Sequence, residues 1–148
     1  IVPDTVPALP TRTLLVHRKG ATRAFPPGHP ELPEAYQATG QPVVIGGSME
    51  TGSYLLAGVA SGAPSFFSTA HGSGRTLSRR AARKRTSGRE LLRQMQERGL
   101  EVRAASLSGL AEEAGFAYKD VDAVAEASER AGLSRRVAHL LPVGNVKG

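Results

Sequence analysis

The sequence predicts an α+β fold, an irregular mixed sheet with a few helices, from two contrasting halves of the chain. In the first half, short apolar runs alternate with glycine and proline, a pattern typical of strands joined by tight turns. From Leu77 to Arg98, Ala, Leu, Arg, Gln and Glu dominate, and these residues favour helices. The chain has 148 residues with no internal repeat or long linker, so we expect one unit over 1–148.

Each strand is expected where an apolar or β-branched run is bounded by turn residues. Strands are predicted over 13–17, 42–45, 53–60, 66–69, 100–105 and 133–143. Residues 1–12 contain three prolines and no periodicity, so a loop is predicted there, and the tail over 145–148 is left unassigned.

Helices are expected where good helix formers lie between capping residues. They are predicted over 77–98, 110–114 and 121–131. Ser87-Gly88 is expected to interrupt the first of them, and Gly99 stands where a C-terminal cap is needed. Asp120 and Gly132 are the expected N-cap and C-cap of the last helix.

The composition restricts the classes of function. Nineteen Lys and Arg against thirteen Asp and Glu give a net charge of +6, which favours a polyanionic partner. No Cys is present, which excludes disulfides and thiol chemistry and is compatible with a reducing cytoplasm. We expect a cytoplasmic protein, because neither an apolar stretch near 20 residues nor a charged-then-apolar leader occurs.

The four histidines do not follow a metal-binding pattern. None is followed by another at i+3 or i+4, so the familiar zinc spacings are missing. A complete metal site built from this chain alone is therefore not expected.

A glycine-rich segment over 46–53 is the first candidate site. Glycines after a strand let backbone N–H groups approach a phosphate, and hydroxyl groups add further donors. The segment has neither the Gly-Lys-Ser/Thr of a Walker A loop nor a dinucleotide fingerprint. A plain glycine-rich turn is the alternative interpretation.

A histidine followed by small residues is the second candidate site. Gly72 and Gly74 would let an anion approach His71, Ser73 could donate a hydrogen bond, and Arg75 could neutralise charge. The neutral imidazole would then act as a nucleophile towards phosphorus. On the pattern alone, a loop histidine without a role is the alternative.

A basic run without an acidic residue follows over 75–89. On a helix, Arg75, Arg79 and Arg83 would repel one another unless an anion lies nearby, and a phosphate backbone is a natural partner. The alternative is a solvated helix face. With four Phe, three Tyr and no Trp, aromatic platforms for base stacking are scarce, so recognition of a nucleic acid would depend mostly on its phosphates and ends.

Several blocks, taken in order, resemble the RtcB family of GTP-dependent RNA-splicing ligases. The matching blocks are His17–Phe25 with the Pro-Pro-Gly that follows, Gly47–Met49 with Thr51 and Ser53-Tyr54, Phe66–Arg75 with Leu77–Arg79, Val102–Ser106, Gly109–Ala114, Tyr118–Asp122 and Val146–Gly148. The resemblance covers the chain from about His17 onward.

The resemblance implies a specific activity. In this family a histidine attacks GTP, the guanylate passes to an RNA 3′-phosphate, and a 5′-hydroxyl displaces GMP; a 2′,3′-cyclic phosphate is first opened. By motif match His71 is the nucleophile, Tyr118 and Lys147 contact guanine, and Arg79 binds RNA phosphate. The remaining guanylate contacts implied are Gly46, Gly47, Ser48, Met49, Ser53, Gly72, Ser73 and Gly74.

The resemblance also implies what this chain lacks. Family members are much longer, and their manganese ligands lie upstream, so we expect a C-terminal segment that is inactive alone and leaves apolar surface exposed. RNA, and an archease-type activating protein, are the partners implied. Glu50 stands where the family usually has glycine, which places a negative charge beside the phosphate loop. A non-catalytic basic RNA-binding module is the competing hypothesis.

Overall fold

The structure, a computed structural model, describes residues 13–148. It confirms the α+β class. The strands are β1 (Ala21–Arg23), β2 (Pro42–Gly46), β3 (Ser53–Gly58), β4 (Ser68–Ala70), β5 (Glu101–Ala104), β6 (Ser134–Leu140) and β7 (Gly144–Lys147). The helices are α1 (Arg79–Arg85), α2 (Gly88–Glu97), α3 (Leu107–Glu112) and α4 (Val121–Arg130), with 3-10 turns at Glu34–Tyr36, Ala60–Ser65 and Gly115–Ala117. The loop predicted over 1–12 lies outside the described residues.

The described strands form three small sheets, and each sheet contains a pairing between strands that are distant in sequence. β1 pairs antiparallel with β4, and β2, β3 and β6 form an antiparallel sheet in that order. β5 and β7 pair in parallel. Each sheet therefore joins segments that are distant in sequence, and the sheet β2-β3-β6 also brings Gly46 and Ser53 opposite each other.

Polar caps fix the helix ends. The side chains of Ser78, Ser87 and Ser106 accept N–H bonds three residues on, and Asp120 accepts one from Asp122, which satisfies orphan donors of the first turn. Gly99 has a φ of 79° just beyond α2, the left-handed geometry of a C-terminal cap. The division of 77–98 at Ser87-Gly88 is therefore confirmed, as is the helix predicted over 121–131.

Two clusters of buried apolar side chains hold the elements together. One joins α2, β5 and α3 and contains Leu91, Met95, Leu100, Val102, Leu110 and Ala114. The other joins β2, β3 and α4 and contains Ala24, Val43, Ile45, Leu56 and Val121. Burial of this apolar surface is the main stabilising contribution to both groups of elements.

Some predicted boundaries are wrong. The strand expected over 13–17 is not formed, and the neighbouring strand β1 begins at residue 21. The strand expected over 66–69 begins at Ser68, because Phe66 and Phe67 adopt left-handed φ values of 53° and 51°. The short helix starts at Leu107 because Ser106 caps it, and the unassigned tail forms β7. The strands over 42–45, 53–60, 100–105 and 133–143 are confirmed, with shorter bounds for three of them.

Apolar side chains are exposed on the sheet β2-β3-β6 and at the C-terminal end, as expected. Val44 and Val137 are 54% and 51% exposed, and Val143 and Val146 are 84% and 88% exposed. No helix among residues 13–148 is long and apolar enough to cross a membrane.

Candidate functional site

The two candidate anion loops lie side by side. The loop after β2 begins at Gly46, and the loop after β4 begins at His71. Gly46 and Gly72 form a parallel bridge, and the Ser73 N–H donates to the Gly46 carbonyl at 2.7 Å. The fold therefore brings together two segments that the sequence presents 25 residues apart.

His71 stands at the exposed end of a strand that is anchored inside the protein. Thr69, which lies in β4 two residues before His71, is buried, and its Oγ1 lies 3.0 Å from the Ser134 Oγ on β6. β4 is also paired with β1, and the His71 N–H reaches the Gly20 carbonyl at 3.5 Å. The backbone of His71 is thus held on both sides while its side chain faces solvent. This arrangement suits an imidazole that must meet a substrate.

Ser73 carries a buried hydroxyl without a hydrogen-bond partner among residues 13–148. The residue is only 3% exposed, and leaving such a group unpaired costs about 1–3 kcal/mol. The adjoining glycines leave room, since a Cβ added at Gly46 or Gly74 meets no atom within 4 Å. An unpaired donor beside open glycine backbone fits a loop that accommodates an anionic ligand.

The glycine-rich loop is internally hydrogen-bonded. The Gly47 N–H donates to the Gly52 carbonyl at 2.9 Å, and the Ser48 N–H donates to the Thr51 Oγ1 at 3.0 Å. The N–H groups of Glu50 and Thr51 both donate to the Ser48 Oγ. These N–H donors must give up their present partners before they can bind a phosphate. The glycine-rich loop is therefore less ready to bind an anion than the loop that begins at His71.

Met49 and Ser53 take different places in this loop. The Met49 side chain packs against the core cluster of α2, β5 and α3, so its backbone rather than its side chain borders the loop. Its carbonyl accepts from the Asn145 Nδ2 at 3.0 Å, which ties the loop to β7. Ser53 begins β3 directly opposite Gly46. The role of Asn145 was not predicted, since the sequence gives no sign that β7 passes here.

Tyr118 is brought to the His71 loop by backbone pairing. Arg75 and Tyr118 form an antiparallel bridge, and the Lys119 N–H donates to the Gly74 carbonyl at 2.9 Å. The Arg75 Nη1 donates to the Tyr118 phenol oxygen at 2.9 Å, with the guanidinium 4.7 Å from the ring centroid. Two residues assigned to the site from separate motifs are therefore in direct contact.

Glu113, which the sequence reasoning did not single out, connects the cations of the site. Its carboxylate lies 3.5 Å from the Arg75 Nη1, 3.4 Å from the Arg79 Nε and 3.7 Å from the Lys147 Nζ. The Tyr118 hydroxyl donates to it as well. The available signal was the acidic pair Glu112-Glu113 at the end of a short helix, set against a run of arginines.

The ionisation of this cluster follows from its contacts. Burial alone would raise the pKa of Glu113, but the Tyr118 hydrogen bond and the charges of Lys147, Arg75 and Arg79 outweigh it and lower that pKa. Burial, together with the hydrogen bond to Glu113, raises the pKa of the Tyr118 phenol. Glu113 is accordingly an anion and Tyr118 a neutral donor near pH 7.

The basic run supplies two sets of cations. Arg79 and Arg83 lie 3.7 Å and 3.3 Å from carboxylate oxygens of Glu112, so the anionic partner that the arginine spacing requires comes from α3. Arg79 remains 66% exposed and can still reach a second anion. Within this run, the exposed cations that have no acidic partner among the described residues are Arg80, Lys84, Arg85 and Arg89.

Glu50 does not leave a free negative charge beside the phosphate loop. Its Oε1 lies 2.7 Å from the Arg98 Nη1, and its Oε2 accepts from the Gly115 N–H at 2.5 Å. The carboxylate therefore joins the glycine-rich loop to the end of α2 and to the turn that precedes Tyr118. The positive charge of Arg98 therefore offsets the repulsion that Glu50 was expected to exert on a bound phosphate.

Replacing Gly115 by alanine should destabilise the fold only while Glu50 is present. A Cβ at Gly115 would lie 2.6 Å from the Glu50 Oε2, so the carboxylate must give up its bonds, at a cost of about 1–2 kcal/mol. In a Glu50→Ala background the same replacement should cost less than about 0.5 kcal/mol. Urea unfolding of the four variants measures this coupling, and an equal cost in both backgrounds contradicts it.

A metal site is not assembled within residues 13–148, where no three His, Cys, Asp or Glu side chains are grouped to hold an ion. The residues present therefore do not fit a manganese ion by themselves. The manganese ligands implied upstream remain a prediction.

Comparison with known proteins identifies the family. A family model described as tRNA-splicing ligase RtcB matches residues 6–148. The chain belongs to the RtcB family. It is 57% identical over 137 residues to the RNA-splicing ligase RtcB of Mycobacterium bovis, and 47% identical over 137 residues to the tRNA-splicing ligase RtcB of Aeropyrum pernix. The match covers 93% of this chain, but only 32% and 28% of those two RtcB proteins.

Proposed function

We propose that this chain is the C-terminal segment of an RNA ligase that joins 3′-phosphate or 2′,3′-cyclic phosphate ends to 5′-hydroxyl ends, as in tRNA splicing or RNA repair. The observation that carries the proposal is the junction of the two loops at His71, where the buried Ser73 hydroxyl has no partner among the described residues. Membership of a family whose relatives are named RNA-splicing ligases supports the class of reaction.

His71 supplies the nucleophile of the first step. A neutral ring nitrogen of His71 forms a bond to the α-phosphorus of GTP and pyrophosphate leaves. An oxygen of the RNA 3′-phosphate then attacks the same phosphorus and releases His71. In the last step the 5′-hydroxyl attacks the activated 3′-phosphate, loses its proton and displaces GMP.

The neighbouring residues bind and orient the guanylate and the RNA. The Ser73 hydroxyl and the backbone at Gly72 and Gly74 border the phosphate carried by His71. Tyr118 and Lys147 are the residues assigned to the guanine base. The remaining guanylate contacts are assigned to Gly46, Gly47, Ser48, Met49 and Ser53, with Arg79 at an RNA phosphate.

The metal and further partners come from outside this segment. Manganese, when bound, polarises the triphosphate and neutralises charge, and we place its ligands in the upstream part of the longer protein. The isolated chain is therefore proposed not to seal RNA. A cytoplasmic location and an archease-type activator belong to the same proposal.

A second candidate function is that of a basic RNA-binding module without catalysis. The specific observation in its favour is the exposed set Arg80, Lys84, Arg85 and Arg89, which has no acidic partner in the described part of the chain. Such cations bind phosphate backbone without sequence preference.

Labelling with guanylate tests the proposed function. The longer ligase that contains this segment is incubated with manganese and GTP labelled at the α-phosphate, and the protein is then recovered. Label bound through phosphorus to an imidazole nitrogen should be lost in acid and retained in alkali, and peptide mapping should place it at His71. Failure to label, or label on another residue, contradicts the proposal; labelling of the isolated chain contradicts its dependence on the upstream part.

A further inference from the structure

Glu113 is a nearly buried anion in contact with four candidate site groups. It is 8% exposed and lies directly after α3, whose residue Leu110 accepts its N–H at 3.0 Å. Burying a carboxylate costs several kcal/mol unless cations and donors surround it. Its position must therefore be maintained by the groups that face it.

Those groups come from different segments of the chain. Tyr118 follows the 3-10 turn at Gly115–Ala117, and Lys147 ends β7. Arg75 belongs to the His71 loop, and Arg79 begins α1. The Glu113 carboxylate is the group that contacts all four side chains.

The contacts limit the positions of the two residues assigned to guanine. Lys147 is 39% exposed on a long flexible side chain, and its ion pair with the Glu113 Oε2 fixes where its ammonium group lies. Tyr118 donates its phenol hydrogen to the same Oε2 and accepts from Arg75. Both side chains are thus directed towards one carboxylate oxygen.

We infer that Glu113 is a positioning residue that holds Tyr118 and Lys147 together for recognition of the guanine base, an inference that rests on the proposed function. Glu113 acts through the two side chains it orders and does not take part in the transfer to His71. Its removal therefore affects the binding and selection of the nucleotide more than the rate of guanylate transfer.

The adjacent glutamate provides a matched control. Glu112 contacts Arg79 and Arg83 through its side chain, at 3.7 Å and 3.3 Å, and the Tyr118 and Lys147 contacts are made by Glu113. Glu112→Gln and Glu113→Gln remove the same charge from the same turn and keep the size of the side chain. A general loss of charge at this end of α3 would affect both variants alike.

The experiment measures guanylate transfer at varied GTP and ATP concentrations in the longer ligase. Glu113→Gln should raise the KM for GTP at least about tenfold, lower the preference for GTP over ATP, and change kcat less than about threefold. Glu112→Gln should stay within about twofold of the parent. Lys147→Gln combined with Glu113→Gln should cost less than the sum of the two single effects, because part of the Glu113→Gln effect acts through the Lys147 contact.

A second measurement does not depend on nucleotide. In the longer ligase, an NMR titration with isotope-labelled tyrosine follows the Tyr118 ring signal, which is assigned by its loss in Tyr118→Phe. Glu113→Gln should lower the phenol pKa of Tyr118, since the carboxylate that raises it is gone.

The outcomes separate this inference from the proposed function. If the parent ligase takes no label, the proposed function fails, and the role of Glu113 in guanine recognition fails with it. If the parent is labelled but Glu113→Gln keeps its KM and base preference, or leaves the Tyr118 titration unchanged, only the inference on Glu113 is overturned. A lower unfolding temperature with unchanged KM also overturns it, because that result describes a purely structural residue.

Discussion

His71→Ala in the longer ligase should reduce guanylate transfer by at least about a thousandfold and leave RNA affinity within about twofold. The substitution removes the atom that bonds to phosphorus, and no neighbouring group on β4 or its loop can replace a neutral imidazole nitrogen. The exposed side chain makes few contacts that the fold needs, so stability should change by less than about 0.5 kcal/mol. Label transfer from GTP, filter binding of RNA and thermal unfolding measure the three quantities.

A variant with the opposite phenotype completes this test. Replacing Arg80, Lys84 and Arg89 by Gln removes two exposed charges from α1 and one from α2. RNA affinity should fall, and its dependence on salt should decrease by about 2 in the log–log slope, while GTP labelling persists. If His71→Ala weakens RNA binding and spares labelling, the ligase proposal is wrong and the basic module is the better description.

Local sequence signals were sufficient where the structure depends on neighbours in the chain. The caps at Gly99, Asp120 and Gly132, and the break at Ser87-Gly88 between α1 and α2, depend on neighbours within a few residues, so the local sequence revealed them. β7 was missed because its strand character comes from parallel pairing with β5, which lies about 40 residues earlier.

The same distinction holds for the candidate site. Resemblance to a family marks His71, Tyr118 and Lys147 one by one, but the side chain that contacts both Tyr118 and Lys147 is Glu113, a residue with no distinctive motif of its own. The pairing of Glu50 with Arg98 and with the Gly115 N–H likewise joins positions 48 and 65 residues apart. Charge alone suggested that Glu50 would disturb the site, and only the three-dimensional contacts show how it is neutralised.

Gly58→Ala should destabilise the fold by at least about 3 kcal/mol. A Cβ at this position would lie 2.2 Å from the Phe25 carbonyl oxygen and 2.4 Å from the Ala24 carbonyl oxygen. These are backbone atoms, which cannot rotate away as a flexible side chain can, so the cost falls at or beyond the upper end of about 1–3 kcal/mol for overpacking. Such a loss is a large fraction of the roughly 5–15 kcal/mol that stabilises a typical domain.

The close approach at Gly58 also connects the sheets to His71. The Ala24 N–H donates to the Phe67 carbonyl at 2.7 Å, just before β4, so displacement of Ala24 is transmitted to the strand that ends at His71. Gly62→Ala is the matched control: Gly62 is another buried glycine, but an added Cβ would meet only the Leu133 carbonyl closely, at 3.3 Å. Urea unfolding followed by circular dichroism should show Gly62→Ala within about 1 kcal/mol of the parent. An equally small loss for Gly58→Ala would show that the backbone at Ala24 and Phe25 can move aside, and would remove the steric link from β3 to His71.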